Sequence, residues 1–239
     1  MEQVQYVCLV CGFNMIGFHP DNCPFCNSTS DNFITAKECS KRFKVTAAKV
    51  TDRVTCLRSV PPLGLEHSAY RVEAGERSFW IDSPSSFNED LEPVKSILFT
   101  HHHFLGASNL YREKFGARVY IHRLDSLHEI ARPFTFDKTF EAGFTAGGLE
   151  AFPIDGHTPG FTFYIHAEVL FICDYVFIKD GAMRFNPFGP ADKTRAGGHA
   201  ARKILEGRDL KTVCGFNYFT DFPGWWEMFT ELLAKGRDG

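Results

Sequence analysis

The sequence has 239 residues, of which 44% are hydrophobic and 23% are charged, and its formal net charge is -3. This composition is typical of a globular chain that is long enough to bury a substantial core, which argues against disorder. The charge balance excludes the broad basic surface that binds phosphate backbones, so we expect no nucleic acid partner.

The start of the chain, MEQVQYVCLV, lacks the basic segment and the long apolar run of a secretory signal. The most apolar later stretch, residues 161–178, contains His166, Glu168 and Asp174. Its aromatic and β-branched residues favour paired strands over a membrane span. We therefore expect no membrane partner and a cytoplasmic location.

The first segment of the chain, up to about Ala36, is rich in turn residues and contains the sequences CLVC and CPFC. A polar, cationic run follows it, KECSKRFK from Lys37 to Lys44, and this run predicts a linker. We place the domain boundary near residue 42, which gives a small domain over residues 1–42 and a larger domain over residues 43–239.

The larger domain begins with strand patterns and continues with helical and strand patterns in alternation. The predicted strands are 54–59, 68–73, 78–82, 96–100, 118–121, 150–154, 161–165, 169–172 and 211–215. The predicted helices are 107–115, 124–130, 194–205 and 223–235. Strands, then helices, then strands, then helices predict an α+β fold with layered sheets and helices outside them.

The eight cysteines fall into two classes. Half of them are scattered, as expected for core thiols in a chain without a secretory signal: Cys39, Cys56, Cys173 and Cys214. The others form two CxxC turns, and each such turn brings two thiolates onto one metal. Two facing turns complete a tetrahedral site for zinc or iron, with the predicted ligands Cys8, Cys11, Cys23 and Cys26.

The residues around the CxxC turns add detail to this prediction. Gly12 and Asn27 follow the two pairs, and both residue types tolerate the left-handed backbone that turns nearby amides toward the sulfurs. With Tyr6 before the first pair, CGF after it and Phe33 beyond CPFC, residues 4–35 resemble the rubredoxin-like domain of rubrerythrins. The resemblance implies an iron centre that passes single electrons. A zinc ribbon that only holds the fold together is the alternative.

The stretch ILFTHHHFLGASNLY, residues 97–111, predicts a strand that ends in three histidines. His101 and His103 are two apart in extended chain, so their side chains point the same way and can share one ion. We expect His102 to face away and to bond to backbone or solvent. His157 lies in a Gly/Pro-framed turn, DGHTPG, between two strands. Asp174 follows a buried strand in VLFICDYVF and needs a partner there, because burying a lone carboxylate is costly.

These sequences, THHH after an apolar strand, GHTPG, ICD and the earlier HSAYRVEAGERSFWIDSPSSF, together resemble the metallo-β-lactamase superfamily over about residues 51–229. The resemblance implies an αββα sandwich. It also implies that His101, His103 and His157 match the ligands of that family's first metal, and that Asp174 matches the carboxylate that bridges two metals.

The chain departs from the family pattern at the second metal. Leu105 and Gly106 stand where the family has Asp and His, and Phe216 stands near the position of its last His. One bridging carboxylate is too few to hold a second divalent ion. We therefore predict a single iron or zinc ion bound by His101, His103 and His157, with Asp174 as a fourth ligand or as a hydrogen-bond acceptor beside it.

The other histidines have weaker contexts. His67, in LEHSAY, is a candidate for the edge of a pocket, and His122 is expected to be structural. Solvent or a local hydrogen bond is expected for the rest: His19, His128, His166 and His199.

Two classes of function fit these ligands. In the first class, three histidines and a water form a hydrolytic zinc centre, in which Asp174 would act catalytically by orienting the water. In the second class, two histidines and a carboxylate form a non-haem iron site. Leu105 argues against hydrolysis, and the cysteine domain favours redox chemistry with a redox partner protein. We expect an oxidoreductase or a hydrolase that acts on a small molecule. The alternative is a non-catalytic metal-dependent sensor or binding protein with a zinc-ribbon-like first domain, which the loss of second-metal ligands favours.

Overall fold

The structure is a computed structural model of the chain and describes residues 4–235. The chain divides into two units, Met1–Phe140 and Glu141–Gly239. Among the described residues, no helix is both long enough and apolar enough to cross a membrane. The predicted domain boundary near residue 42 lies inside the first unit and stays a prediction.

The first unit begins with a three-stranded antiparallel sheet in the order β2-β1-β3. Its strands are β1 (Gln5–Cys8), β2 (Asn14–Ile16) and β3 (Phe33–Thr35). The first CxxC turn lies between β1 and β2, and the second lies in the loop between β2 and β3. We call residues 4–35 the cysteine segment.

The run predicted as a linker is mostly a helix, α1 (Ala36–Arg42). Thr35 and Glu38 form a capping box: the Thr35 hydroxyl accepts from the Glu38 N–H, and the Glu38 carboxylate accepts from the Thr35 N–H. These bonds satisfy N–H groups that the first helical turn leaves open, and Ala36 and Cys39 pack in a buried cluster with Val7 and Leu63.

A seven-stranded sheet follows, in the order β10-β9-β8-β7-β6-β5-β4. Its strands are β4 (Lys44–Lys49), β5 (Val54–Val60), β6 (Ala69–Ala74), β7 (Arg77–Ile81), β8 (Ser96–Leu98), β9 (Arg118–His122) and β10 (Lys138–Phe140). Strands β4 to β7 pair antiparallel, whereas β7 to β10 pair parallel. Helices α2 (Ser108–Phe115) and α3 (Arg123–Ser126) occur among the parallel strands. Since β7 and β8 are parallel neighbours, the residues that follow them meet at one edge of the sheet.

The cysteine segment shares a hydrophobic core with this sheet. Cys8, Phe13 and Met15 belong to the same buried cluster as Trp80 and Ile97. The Asn14 amide also donates to the Ser85 carbonyl at 3.0 Å. The cysteine segment is therefore packed on the seven-stranded sheet.

The second unit contains a six-stranded sheet in the order β11-β12-β13-β14-β17-β18 and a separate two-stranded hairpin, β15-β16. The strands are β11 (Phe144–Ala146), β12 (Leu149–Pro153), β13 (Thr162–His166), β14 (Val169–Cys173), β15 (Val176–Lys179), β16 (Ala182–Phe185), β17 (Thr212–Gly215) and β18 (Phe219–Asp221). Its helices are α4 (Ala191–Leu205) and α5 (Phe222–Ala234). β14 and β17 are parallel neighbours with Cys173 paired to Gly215, so Asp174 and Phe216 follow them at the same edge.

Every predicted strand and helix of the larger domain has an observed counterpart. The helix predicted over 124–130 is shorter, because α3 ends at Ser126. The sequence patterns did not predict the following strands, of which β15 and β16 form the hairpin: β4, β10, β11, β15, β16 and β18. Most of these have few residues or a single buried face, so their periodicity is weak.

A substitution at Gly64 tests the packing of the cysteine segment against the rest of the first unit. Its φ is +56°, and a Cβ there would lie 2.3 Å from the Val10 carbonyl oxygen in the first CxxC turn, whereas Gly75, with φ +66°, has open space around its Cβ position. We expect Gly75→Ala to lower the free energy of unfolding by roughly 1 kcal/mol, from backbone strain alone. Gly64→Ala adds the clash and should cost on the order of 3 kcal/mol or more. Urea unfolding measures both, and equal losses would contradict the packing.

Candidate metal centres

The four cysteines of the CxxC turns meet in one cluster. Their sulfur atoms all lie within 4.8 Å of one another. The Cys8 and Cys26 sulfurs are 3.7 Å apart, and so are those of Cys11 and Cys23. A metal bound tetrahedrally at about 2.3 Å from each sulfur requires roughly this separation. The cluster therefore fits one zinc or iron ion.

The backbone of both turns supports this cluster as the sequence predicts. Gly12 and Asn27 have φ of +79° and +60°. Their N–H groups donate to the carbonyl oxygens of Cys8 and Cys23, four residues earlier. Hydrogen bonds to Cys23 and Cys8 raise the pKa of the Cys11 thiol, and the Phe13 N–H, which faces the Cys11 sulfur, partly offsets this rise, as a donor that stabilises a thiolate does.

Three of the thiols influence one another electrostatically: Cys8, Cys11 and Cys23. Hydrogen bonds from Cys11 and Cys23 lower the pKa of the Cys8 thiol. Bonds to Cys23 and Cys8, with burial, raise the pKa of Cys11. Gathering buried thiolates without a counter-charge is unfavourable, and a cation among the sulfurs supplies that counter-charge.

His101 is held by a chain of buried hydrogen bonds. The Thr100 hydroxyl lies 2.9 Å from the His101 Nδ1 and 2.9 Å from Asp82 Oδ2, and the Thr100 N–H donates to Asp82 Oδ1 at 2.9 Å. Because the hydroxyl donates to the carboxylate, it accepts from Nδ1–H, which leaves the lone pair of His101 on Nε2. A ligating histidine needs this arrangement of its second nitrogen.

His103 does not lie in extended chain as expected. After His101, residues His102–Phe104 form a 3-10 turn. The turn still places the rings of His101 and His103 close together, with centroids 4.8 Å apart. The ring of Phe25, from the second CxxC turn, lies 5.2 Å from that of His103. One side of His103 is thus covered by the cysteine segment.

The second unit supplies His157 and Asp174, both buried. The His157 Nε2 and Asp174 Oδ2 are 3.4 Å apart, which is the separation of two atoms bound tetrahedrally to one ion at about 2.0–2.1 Å. The Asn186 amide nitrogen lies 3.2 Å from the His157 Nε2 and 2.9 Å from Asp174 Oδ2. No sequence pattern pointed to Asn186.

The sequence predicts one metal site from four ligands, of which each unit supplies two: His101, His103, His157 and Asp174. We call this group the histidine centre. Its nitrogen and oxygen donors suit zinc or iron.

The positions that depart from the family pattern offer no further ligand. Leu105 is fully buried. Gly106 has φ +49°, and a Cβ on it would lie 2.3 Å from the Ser83 carbonyl oxygen, so the backbone excludes any side chain there. Phe216 packs edge-on against Phe177, with ring centroids 5.7 Å apart.

Two other histidines of the first unit are buried near these ligands. His102 faces Asp125, with its Nδ1 bonded to that carboxylate and its ring stacked on His128; the expected backbone or solvent partner is thus a carboxylate. His67 stacks on Phe104 with ring centroids 4.2 Å apart, and burial lowers its pKa to about 3. It lines a narrow cavity together with Phe25 and His103, as its prediction at a pocket edge implies.

Comparison with known proteins gives matches to solved structures alone. No family model matches the chain, and no curated protein sequence matches it. The metallo-β-lactamase from Pontibacter korlensis is 18% identical with a TM-score of 0.63, over 80% of this chain and 99% of that one. TTHA1623 in a di-iron-bound form is 22% identical with a TM-score of 0.57, over 69% and 94%. The archaeal metallo-β-lactamase superfamily protein ST1585 from Sulfolobus tokodaii is 15% identical with a TM-score of 0.54, over 72% and 82%.

At these identities the likeness shows the fold alone. The predicted α+β class and the metallo-β-lactamase fold are confirmed. The amino-terminal four-cysteine cluster is consistent with the predicted rubredoxin-like domain.

The hydrogen bonds that connect Asp82, Thr100 and His101 lead to a direct prediction. Thr100→Val keeps the side-chain shape but removes the acceptor for His101 Nδ1–H, so the affinity of the histidine centre for zinc should fall roughly 10- to 100-fold. Competition with a chromophoric chelator measures this. Thr162→Val is the control, because Thr162 is also buried and its hydroxyl donates to the Gly160 carbonyl. Equal affinities in the Thr100 variant and the native chain would contradict the assignment.

Proposed function

We propose that this protein is a redox metalloenzyme, in which the cysteine cluster binds iron and exchanges single electrons with one ion in the histidine centre. The substrate is a small molecule, and a redox partner protein supplies or accepts the electrons. The observation that supports this most strongly is the position of Phe25. Its ring lies against His103, while the chain on either side of it is the CxxC turn of Cys23 and Cys26.

The shared core supports the same proposal. Electron exchange between two centres requires a short and fixed separation. The Leu65 N–H donates to the Val10 carbonyl inside the first CxxC turn at 3.0 Å, and the Asn14 amide bonds to the loop that contains Ser85. These bonds, together with the common hydrophobic cluster, fix the cysteine segment against the residues beside His103.

The roles of the residues follow from their chemistry. Bound iron would supply open coordination positions for redox chemistry of a small molecule. His101, with Thr100 and Asp82 behind it, would hold one ligand position rigidly. Asp174 would serve as a fourth ligand or would hold the proton of a bound water through a carboxylate oxygen.

The surface next to the cysteines suits a partner protein. Val10 and Phe25 lie inside the CxxC turns, and their side chains are 38% and 39% exposed. Exposed apolar side chains beside a metal site are typical of transient interaction surfaces. The cysteines form no disulfide, and a thiolate centre suits a reducing compartment, in keeping with the expected cytoplasmic location.

Hydrolysis by a zinc centre is the second candidate function. His157 lies beside Asp174, with its Nε2 3.4 Å from Asp174 Oδ2, and the predicted set of three histidines matches zinc hydrolases in ligand type. Leu105 lies where a carboxylate would assist the attacking water, which weighs against it. A non-catalytic metal-dependent sensor is the remaining alternative.

Metal analysis of aerobically purified full-length protein separates these functions. The redox proposal predicts two metal ions per chain, with iron in the cysteine cluster. It also predicts a visible ferric-thiolate absorption that dithionite bleaches. His157→Ala should remove one ion and leave this absorption, because the cysteines hold the other ion. Zinc in both centres, with turnover of a thioester or lactone, would establish hydrolysis. Zinc in both centres without turnover of either substrate or of oxygen would leave the sensor.

The contact between Phe25 and His103 gives a kinetic prediction. Phe25→Leu removes the ring between the CxxC turn and His103, so a chemically reduced cysteine centre should recover its colour more slowly when mixed with oxygen. Stopped-flow absorption measures this rate. Phe18→Leu is the matched control, because Phe18 lies in the same segment and is 40% exposed. Identical slowing in both variants would exclude a specific role for Phe25.

A further inference from the structure

Asn186 lies where the chain returns to Asp174. The hairpin of β15 and β16 pairs Val176 with Phe185, so the residue after β16 comes back to the residue before β15. The Asn186 N–H donates to the Tyr175 carbonyl at 3.1 Å. Its side chain is 2% exposed and contacts both ligands of the histidine centre that the second unit supplies.

The orientation of the Asn186 amide is set by its neighbours. Its Oδ1 accepts from the Phe188 N–H at 2.9 Å. Its Nδ2 lies 3.0 Å from the Asp174 carbonyl oxygen and 2.9 Å from Asp174 Oδ2. If the amide were rotated by 180°, its oxygen would face the Asp174 carbonyl oxygen and Asp174 Oδ2, which are both acceptors. The Phe188 N–H would then face the amide NH2 group, which is a donor. The nitrogen therefore faces Asp174.

This orientation decides which nitrogen of His157 has the lone pair. The Asn186 Nδ2 is a donor only, and it lies 3.2 Å from the His157 Nε2. A neutral imidazole that accepts at Nε2 has its hydrogen on Nδ1. The tautomer selected by Asn186 therefore presents at Nε2 the lone pair that a cation requires.

The number of amide hydrogens fits this arrangement. Nδ2 has two hydrogens and faces three acceptors, of which the His157 Nε2 is the most distant. Once that lone pair binds a cation, the remaining acceptors are both on Asp174. The amide then donates one hydrogen to each, and Asp174 stays fixed by its backbone and by its carboxylate.

We propose that Asn186 is a positioning residue of the histidine centre: its amide selects Nε2 as the ligating nitrogen of His157 and holds the Asp174 carboxylate in place for the same ion. The proposal rests on the proposed function only in taking His157 and Asp174 as ligands. It assigns a role to a residue that no sequence motif identified.

The test uses full-length protein with zinc in the cysteine cluster, from which a mild chelator has removed any ion of the histidine centre. Asn186→Leu has a similar volume and no donor. Nitrogen-15 NMR of the imidazole should show His157 with its hydrogen on Nδ1 in the native chain and a mixture of both tautomers in the variant. Zinc affinity of the histidine centre should fall roughly 10- to 100-fold.

Asn14→Leu is the control, since Asn14 is equally buried and its amide faces Gly12 and Ser85 in the other unit. It should leave the His157 tautomer unchanged. Asn186→Ala replaces the leucine variant if that protein does not fold. An unchanged tautomer and an unchanged affinity in the Asn186 variant would overturn the role of Asn186. If the native chain binds no ion besides that of the cysteines, the proposed function is wrong. The role of Asn186 is then tested by the tautomer alone, which should still differ between the native chain and the variant.

Discussion

The buried carboxylate of Asp82 is the constraint on which the first half of the histidine centre depends. A carboxylate that is 1% exposed is costly unless its charge is matched by hydrogen-bond donors. Thr100 supplies two of them, its N–H and its hydroxyl. The same hydroxyl also accepts a hydrogen bond from the His101 imidazole. The group that satisfies the buried charge of Asp82 therefore also sets the orientation of the His101 ring. Asn186 meets the same need for Asp174, and there too the group that satisfies the carboxylate also contacts a histidine.

The second constraint is the packing of the cysteine segment on the seven-stranded sheet. A segment of about thirty residues buries too little apolar surface to be stable alone. Here it gains a shared core with Trp80 and Ile97. That packing also brings Phe25 against His103. The stability of the cysteine segment and its contact with His103 therefore come from the same packing, which is why we propose that the two centres act as a pair.

The candidate metal ligands are encoded locally in the sequence, whereas the contacts that support them are not. Local spacing predicts Cys8 and His101 as ligands, because a CxxC turn and a histidine at a strand end are encoded within a few residues. The contacts of Asp82 with Thr100 and of Phe25 with His103 join residues far apart in the chain, and no local pattern encodes them.

The same reasoning explains the missed elements. Asn186 depends on the hairpin of β15 and β16, whose strands have only four residues each and give little periodicity. The capping box of Thr35 and Glu38 was present in the sequence as T-A-K-E. The charged residues around it are typical of a linker, and for that reason the composition predicts a linker and not a helix.

The central claim is that a single ion is held by histidines of distant parts of the chain beside a separate cysteine-bound ion. Anomalous X-ray diffraction from crystals of the full-length protein, collected at the iron and zinc absorption edges, tests it most directly. The account predicts one peak among the cysteine sulfurs and one peak bounded by His101, His103, His157 and Asp174. A pair of peaks at the histidines, or none there, would contradict it.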